Sequence, residues 1–294
     1  MSISGTCTVS QTTETVGPSK GAAVPEAATL AEPRAAVSGS SVEVFQRRWP
    51  IAIPMLGLVL ASLMIRWTNF DLMVAGLFYD RSSQTWTYEL AQPWLTIYRQ
   101  GTLPSFFLGI GGAIVAVFGQ WILPRPAWRR SKAIRRAGLF LALMLVLGPG
   151  LIVNVGFKDL WGRPRPIQCT VFNGEKEFLP VGTWAAERSR NSSFPSGHAA
   201  VAFYLMAPGF IAGQRRPRRT AAFFLGGTAF GFGMGLTRVV QGGHFVSDVL
   251  WAGALVYLTG AALAWLILRN DGLEAPHLRE EFCAESDPLP TSNV

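Results

Sequence analysis

The chain has 294 residues, of which 49% are hydrophobic and ten are tryptophan. Its mean hydropathy is positive, which argues against a soluble globular protein and indicates a membrane protein. The formal net charge of +8 would suit a nucleic-acid-binding protein. The basic residues, however, cluster in short connections between apolar segments, so nucleic acid is not expected as a partner.

The chain begins with a polar segment and continues as a series of apolar ones. Residues 1–44 are rich in Ser, Thr, Ala, Gly and Pro, which predicts a disordered cytoplasmic tail. Residues 45–270 are predicted to form one all-α, six-span membrane domain, and 271–294 a second cytoplasmic tail. The predicted spans are 50–65, 103–123, 137–157, 199–212, 221–236 and 249–268. Three of them have the roughly 20 residues that cross a bilayer, and the first, fourth and fifth are shorter.

The charges predict which connections face the cytoplasm. Arginine pairs or clusters occur at 47–48, 125–136 and 215–219, and Arg269 follows the last span. Short connections rich in Lys and Arg face the cytoplasm, so both termini are predicted inside. The connections 67–102, 158–195 and 237–245 then face outward. Of the first, residues 69–80 are expected to be either an interfacial packing element or a guide for a lipid substrate.

The first outward motif is 158–166 (KDLWGRPRP). Its cations Lys158, Arg163 and Arg165 are suited to clamping an oxyanion, because guanidinium groups match phosphate oxygens in geometry. The alternative is that these side chains only reach for lipid headgroups at the end of a span.

The second motif is 195–198 (PSGH), at the start of the fourth span. A helix that begins here would point unpaired backbone N–H groups of Ser196 and Gly197 at an anion. His198 has the right chemistry to donate a proton to a leaving oxygen near neutral pH. For Ser196 alone, a helix cap is the alternative.

The third motif is 237–248 (TRVVQGGHFVSD). His244 and Asp248 are four residues apart, so a helix starting near His244 puts both on one face. The carboxylate can then fix one ring nitrogen and leave the other as a nucleophile. A surface hydrogen bond is the alternative, which the presence of Arg238 near a lipid boundary disfavours.

Together the three motifs resemble the signature of the type 2 phosphatidic acid phosphatase (PAP2) superfamily. A lysine separated by six residues from Arg-Pro matches Lys158 and Arg165, and Pro-Ser-Gly-His is present as it stands. Arg238, His244 and Asp248 match the third part, although Thr237 stands where the family usually has serine. The resemblance implies a membrane helix bundle with the helical core shared with the soluble vanadium haloperoxidases. The words FDLMVAGLFYD, VNVGFKDLWGRPRPIQ and VVQGGHFVSDVL look like the subgroup of bacterial lipid A phosphatases.

The resemblance also implies a mechanism. His244 would attack phosphorus to form a phosphohistidine, Asp248 would orient it, and His198 would protonate the leaving alcohol. Lys158, Arg165, Arg238, Ser196 and Gly197 would bind the phosphate oxygens. No metal or other cofactor is expected, and Arg163 lies outside the signature, with salt bridging or headgroup contact as its expected role.

The predicted activity is hydrolysis of a lipid phosphomonoester, on lipid A, at the periplasmic face of the bacterial inner membrane. Undecaprenyl diphosphate, phosphatidylglycerophosphate and phosphatidate are alternative substrates, and a lipid phosphotransferase is an alternative activity. A non-catalytic lipid-phosphate binder or transporter is the alternative from another class, disfavoured by the intact pair of His244 and Asp248.

Overall fold

The structure is a computed structural model, and it describes residues 50–122, 128–186, 191–213 and 216–268. Both predicted tails, 1–44 and 271–294, lie outside the described residues. The described part is mostly helical, with one two-stranded antiparallel hairpin.

The elements follow one another as a row of helices interrupted by the outer connections. The α-helices are α1 Ala52–Thr68, α2 Phe70–Gly76, α3 Trp94–Gln100, α4 Leu103–Ile122, α5 Trp128–Leu145, α6 Lys158–Trp161, α7 Gly197–Phe203, α8 Ala207–Ala212, α9 Pro217–Val240 and α10 Val246–Leu263. The hairpin strands are β1 Tyr79–Asp80 and β2 Thr85–Trp86. Short 3₁₀ turns are Pro166–Gln168, Thr170–Phe172 and Tyr204–Met206, and π-helical stretches are Val146–Phe157 and Ala264–Leu268.

Four helical runs are long and apolar enough to cross a membrane: Trp94–Trp121, Lys132–Gln168, Pro217–Val240 and Val246–Leu268. Helices α1 and α2 pass the same test only together, and they are bent by 68° at Asn69, where the backbone is left-handed. The run Gly197–Ala212 is apolar but shorter. Each of the six predicted segments therefore coincides with a helix, while the count of six spans stays a prediction.

The second predicted span starts where α4 starts, at residue 103, but the helical run to which α4 belongs begins earlier, at Trp94. Pro93 sits at the N-terminal boundary of α3, and Gly101 and Thr102 form a tight turn into α4. A proline has no N–H to donate, so it is well tolerated where a helix begins. Residues 94–100, which were predicted to belong to an outer connection, therefore form the N-terminal part of this helical run.

A π-helical stretch carries the first motif to its place. Pro149 lies inside Val146–Phe157 and cannot donate a backbone hydrogen bond. The Asn154 side chain donates to the Pro149 carbonyl oxygen at 2.7 Å. The stretch that carries this contact leads directly into Lys158.

The core lies around α7, whose residues are all buried except half-buried His198. Helices α9 and α10 pack against it. Small residues permit the close approach: a Cβ on Gly231 would overlap the Phe203 ring. As a result, the end of α9 and the N-termini of α7 and α10, which carry the second and third motifs, meet at one end of the bundle.

The first outer connection is built into the fold. Ala75, Trp86, Cys169, Phe172 and Phe245 form one buried cluster. Asp71 of α2 is also buried, with 2% of its surface exposed. Residues 69–80 therefore pack the region that carries the motifs, in agreement with the packing alternative.

Candidate active site

The three motifs meet in space. The Arg163 side chain of the first motif contacts Asp248 of the third. The Ser193 carbonyl oxygen, just before the second motif, contacts His244. A Cβ on Gly197 would lie 3.3 Å from the Lys158 ammonium. All the residues that the sequence singled out are brought together, namely Lys158, Arg165, Ser196, Gly197, His198, Arg238, His244 and Asp248.

His244 is held by a backbone carbonyl. Its Nδ1 lies 2.6 Å from the Ser193 carbonyl oxygen and 3.8 Å from Asp248 Oδ2. Because a carbonyl oxygen only accepts, Nδ1 carries the proton and Nε2 keeps its lone pair. The closest contact of Nδ1 is therefore the backbone oxygen, and the Asp248 carboxylate, expected to orient the imidazole, lies further away but within ion-pair distance.

Asp248 acts on His244 through the surrounding chain. Its Oδ2 accepts from the Phe245 N–H at 2.8 Å, which caps α10, and from the Ser193 hydroxyl. Its carbonyl oxygen accepts from the Ser196 N–H at 3.1 Å. Asp248 thus fixes both the segment that carries the Ser193 carbonyl and the turn that carries His244.

A buried charge network stands behind Asp248. Arg163 is 1% exposed, and its Nη1 donates to Asp248 Oδ1 at 2.5 Å, while its Nη2 donates to Asp71 Oδ2 at 2.8 Å. The Ser247 hydroxyl connects Arg163 to Asp71: it accepts from Arg163 at 2.8 Å and donates to Asp71 at 2.5 Å. The guanidinium Nε donates to the Leu179 carbonyl oxygen at 2.8 Å. The salt-bridging role expected for Arg163 is therefore the one observed, and it anchors the carboxylate beside His244.

Burial keeps His244 neutral. Removal from water lowers its pKa from 6.5 to about 4, against the opposite effect of the nearby Asp248 carboxylate. At neutral pH the imidazole therefore has a lone pair on Nε2, which a nucleophile requires.

His198 packs against an aromatic ring that also contacts a guanidinium. The rings of His198 and Tyr98 have centroids 4.8 Å apart and are tilted by 36°. The Arg238 guanidinium carbon lies 4.4 Å from the centroid of the same Tyr98 ring. Arg238 Nη1 donates to Gln241 Oε1 at 2.5 Å, and Gln241 Nε2 donates to the Glu89 carbonyl oxygen at 3.1 Å.

The cations Lys158, Arg165 and Arg238 lack an anionic partner in the described part of the chain. Arg165 Nη2 donates to the amide oxygen of Asn191 at 2.6 Å, and Arg238 donates to the amide of Gln241. The buried Nε atoms of Arg165 and Arg238 have no acceptor. Lys158 is affected electrostatically by both guanidinium groups. Three cations that repel one another without a carboxylate form a site prepared for an anion with several oxygens.

The N–H of Ser196 is engaged, whereas its hydroxyl has no hydrogen-bond partner in the described part of the chain. Its N–H is bonded to Asp248, so the expectation that this N–H binds the phosphate is wrong. Its hydroxyl is fully buried, has no partner, and does not cap α7, so the cap alternative is not observed either. The Gly197 N–H lies at the first position of the helix, where no intrahelical acceptor exists.

Several residues that contact the motif side chains were not singled out from the sequence. Among them are Asp71, Tyr98, Asn154, Asn191, Ser193, Gln241 and Ser247. Aromatic density around Tyr98 and the acid flanking residues 69–80 were visible signals, but neither indicated a contact with a motif. Within the described ranges, no group of three His, Cys, Asp or Glu residues is arranged to hold a metal ion.

Comparisons with known proteins agree with the motif pattern. The sequence profile of the PAP2 superfamily matches residues 137–271. The lipid A 4'-phosphatase of Francisella tularensis subsp. novicida (strain U112) is 35% identical over 204 residues, which cover 69% of this chain and 88% of that protein. The lipid A 4'-phosphatase of Rhizobium leguminosarum is 37% identical over 114 residues, covering 38% of this chain and 48% of that protein.

A further lipid A 4'-phosphatase, from Rhizobium etli (strain ATCC 51251 / DSM 11541 / JCM 21823 / NBRC 15573 / CFN 42), is 48% identical over 61 residues, 21% of this chain and 24% of that protein. No solved structure matches the chain. The matched range contains all of the motif residues, and the Francisella relative is similar over most of its length. The chain therefore belongs to the PAP2 superfamily.

Proposed function

We propose that this protein is a membrane lipid phosphatase that hydrolyses a phosphate monoester of lipid A through a phosphohistidine intermediate. The observation that carries the proposal is the pairing of two features in one site: a neutral His244 with its Nε2 lone pair free, and three cations without a carboxylate partner in the described chain. The first is suited to attack phosphorus, and the second to bind the oxygens around it.

The chemistry proceeds in two transfers. His244 Nε2 attacks phosphorus as the bond to the lipid oxygen breaks, and His198 gives its proton to that oxygen, releasing the alcohol. Charge on the three remaining phosphate oxygens is stabilised by Lys158, Arg165 and Arg238, with the Ser196 hydroxyl and the Gly197 N–H. Water then attacks the phosphohistidine, His198 takes the water proton, and the P–N bond breaks to give inorganic phosphate.

The electrostatic arrangement supports both steps. Attack makes the His244 ring cationic, and the carboxylate of Asp248 lies 3.8 Å from its Nδ1. The Ser193 carbonyl keeps the Nδ1 proton in place during the reaction. The negative charge of Asp248 thus lies beside the His244 ring, where positive charge develops, and the three cations lie around the phosphate oxygens.

The choice of lipid A is supported by the names of the relatives, each described as a lipid A 4'-phosphatase. Helices suited to a bilayer make a membrane lipid an accessible substrate. We further propose six spans in the bacterial inner membrane, with both termini in the cytoplasm and the site facing the periplasm. The arginine clusters at 125–136 and 215–219 support this orientation.

The test is phosphate release by the full-length protein purified in detergent. Lipid A carrying its phosphates is compared with undecaprenyl diphosphate, phosphatidylglycerophosphate and phosphatidate. Free phosphate from lipid A in preference to the others is the expected result. Transfer of phosphate to a second lipid without free phosphate would identify a phosphotransferase instead.

The nucleophile is tested with His244→Ala, which is expected to lose at least about 10³-fold in kcat. The matched control is His277→Ala, since His277 is the third histidine of the chain and lies in the polar C-terminal segment. With lipid radiolabelled in its phosphate, the reaction is quenched rapidly without acid, because phosphohistidine is acid-labile. A labelled phosphoprotein should be trapped in wild type and not in His244→Ala. Near-full phosphate release by His244→Ala would refute the nucleophile assignment.

A further inference from the structure

Tyr98 connects two of the motifs although it belongs to none. Its ring lies 4.8 Å from the His198 ring and 4.4 Å from the Arg238 guanidinium carbon, measured from its centroid. Arg238 is buried, and His198 and Tyr98 are half-buried. One aromatic ring therefore contacts the side chain that would protonate the leaving group and a cation that would bind the phosphate.

The environment of His198 works against the protonated form that the first transfer requires. The charges that act on it come from Lys158 in α6, Arg165 after α6, Arg238 in α9 and His244 before α10. The first three are cations, and His244 is neutral at pH 7. The face of a tyrosine ring carries partial negative charge and attracts cations. Tyr98 is the aromatic ring next to His198 in this environment.

Tyr98 is held firmly enough to play such a part. It lies in α3, which packs against α9. The tight turn after α3 brings Gly101 against the Met234 side chain of α9. Before α3, the Glu89 carbonyl oxygen accepts from Gln241, which also accepts from Arg238. The ring is therefore fixed from both sides of its helix relative to Arg238.

We propose that Tyr98 is a positioning residue that orients His198 and Arg238 and stabilises the protonated imidazole of His198 through its ring face. The inference rests on the proposed function, since it assigns His198 the leaving-group proton. The ring, and not the phenol hydroxyl, carries the effect.

The experiment compares Tyr98→Leu with Tyr98→Phe in the detergent-purified full-length protein. Tyr98→Leu removes the ring, and kcat for lipid A phosphate release is expected to fall roughly 3- to 30-fold at pH 7, the range that a cation–π contact covers. The basic limb of its kcat–pH profile should move to lower pH by about 0.5–1 unit. Tyr98→Phe keeps the ring and should match wild type in both. Tyr88→Leu is the control and should also match wild type: the ring contact of Tyr88 in the described residues is with Phe78, at 6.5 Å, in the same outer segment.

A change of leaving group separates the effect on His198 from that on Arg238. The nitrophenolate ion leaves without a proton, so phosphate release from p-nitrophenyl phosphate depends little on a general acid. Tyr98→Leu should therefore lose less kcat on this probe than on lipid A, and retained turnover also shows that the variant is folded. An unshifted pH limb in Tyr98→Leu, or a loss in Tyr98→Phe as large as in Tyr98→Leu, would overturn the inference. Activity in His244→Ala would overturn the proposed function instead, so the two failures are distinguishable.

Discussion

Replacing Arg163 by methionine tests whether the buried network holds the nucleophile. The guanidinium donates four hydrogen bonds, to the Leu179 carbonyl, the Ser247 hydroxyl and the carboxylates of Asp71 and Asp248. Methionine has a similar length and no donor, so Arg163→Met leaves two buried carboxylates facing each other without a cation.

Breaking a buried ion pair by removing one partner costs about 3–5 kcal/mol, because the remaining charge stays buried and unpaired. Both carboxylates are affected here, and their side chains are 2% and 0% exposed. We therefore expect the upper part of this range for Arg163→Met. Arg163→Lys keeps the charge but cannot reach all four acceptors with one ammonium, so it should be intermediate. Asp71→Asn leaves Arg163 paired with Asp248 and should cost least.

The assay is the unfolding temperature in detergent together with kcat and KM for phosphate release. Arg163→Met should lower the unfolding temperature markedly. It should also lower kcat by a larger factor than it changes KM, because Asp248 no longer holds the Ser193 segment that positions His244. Arg66→Met is the matched control, since Arg66 donates only to neutral groups, the Val181 carbonyl and the Thr183 hydroxyl. An Arg163→Met protein with the unfolding temperature and kcat of the control would refute the reasoning.

Two further predictions follow from single contacts. The folded pKa of His244 is lowered to about 4, so as the pH falls below 6.5 the unfolded chain takes up a proton that the folded chain does not. Stability should thus decrease on acidification between those values by at most about 3 kcal/mol, seen as a lower unfolding temperature at pH 5 than at pH 7.5. His244→Gln should reduce that difference, and an unchanged difference would contradict the assignment. Gly197→Ala should raise KM by about tenfold or more, because the added Cβ meets the Asn154 side chain and lies 3.3 Å from the Lys158 ammonium that would bind phosphate. Gly233→Ala, where the Cβ meets nothing within 4 Å, is its control and should keep the wild-type KM.

Local pattern was sufficient for the helices and for the motif residues. Apolar runs of bilayer length have few alternatives to a helix, since only a helix satisfies its own backbone in lipid. Trp94–Gln100 was not counted with the second run, because it is too polar and aromatic to resemble an apolar span. It forms α3, which packs against α9 and belongs to the same helical run as α4.

The partners of the motif residues were beyond local pattern. Arg163 and Asp71 are 92 positions apart, and Asp71 and Ser247 are 176 apart. A pairing at that distance depends on how the outer segment folds back onto the bundle. The same holds for the Ser196 N–H: its position at a helix start predicted a free donor, but Asp248 occupies it from the neighbouring helix. Helix geometry determines the direction of a backbone N–H, whereas tertiary packing determines which acceptor it bonds to.

The two arginines of the first motif illustrate how packing assigns roles that composition leaves equal. Arg163 and Arg165 are two residues apart, each beside a proline, and either could have been the phosphate ligand. Arg163 is buried and forms ion pairs with two carboxylates. These pairs neutralise its charge, so it does not attract a further anion. Arg165 turns toward Asn191, a neutral partner, and retains its charge for a ligand. Arg238 is also paired with an amide. On the proposed mechanism, then, a cation with carboxylate partners supports the residue that would be the nucleophile, and a cation with an amide partner would bind the phosphate.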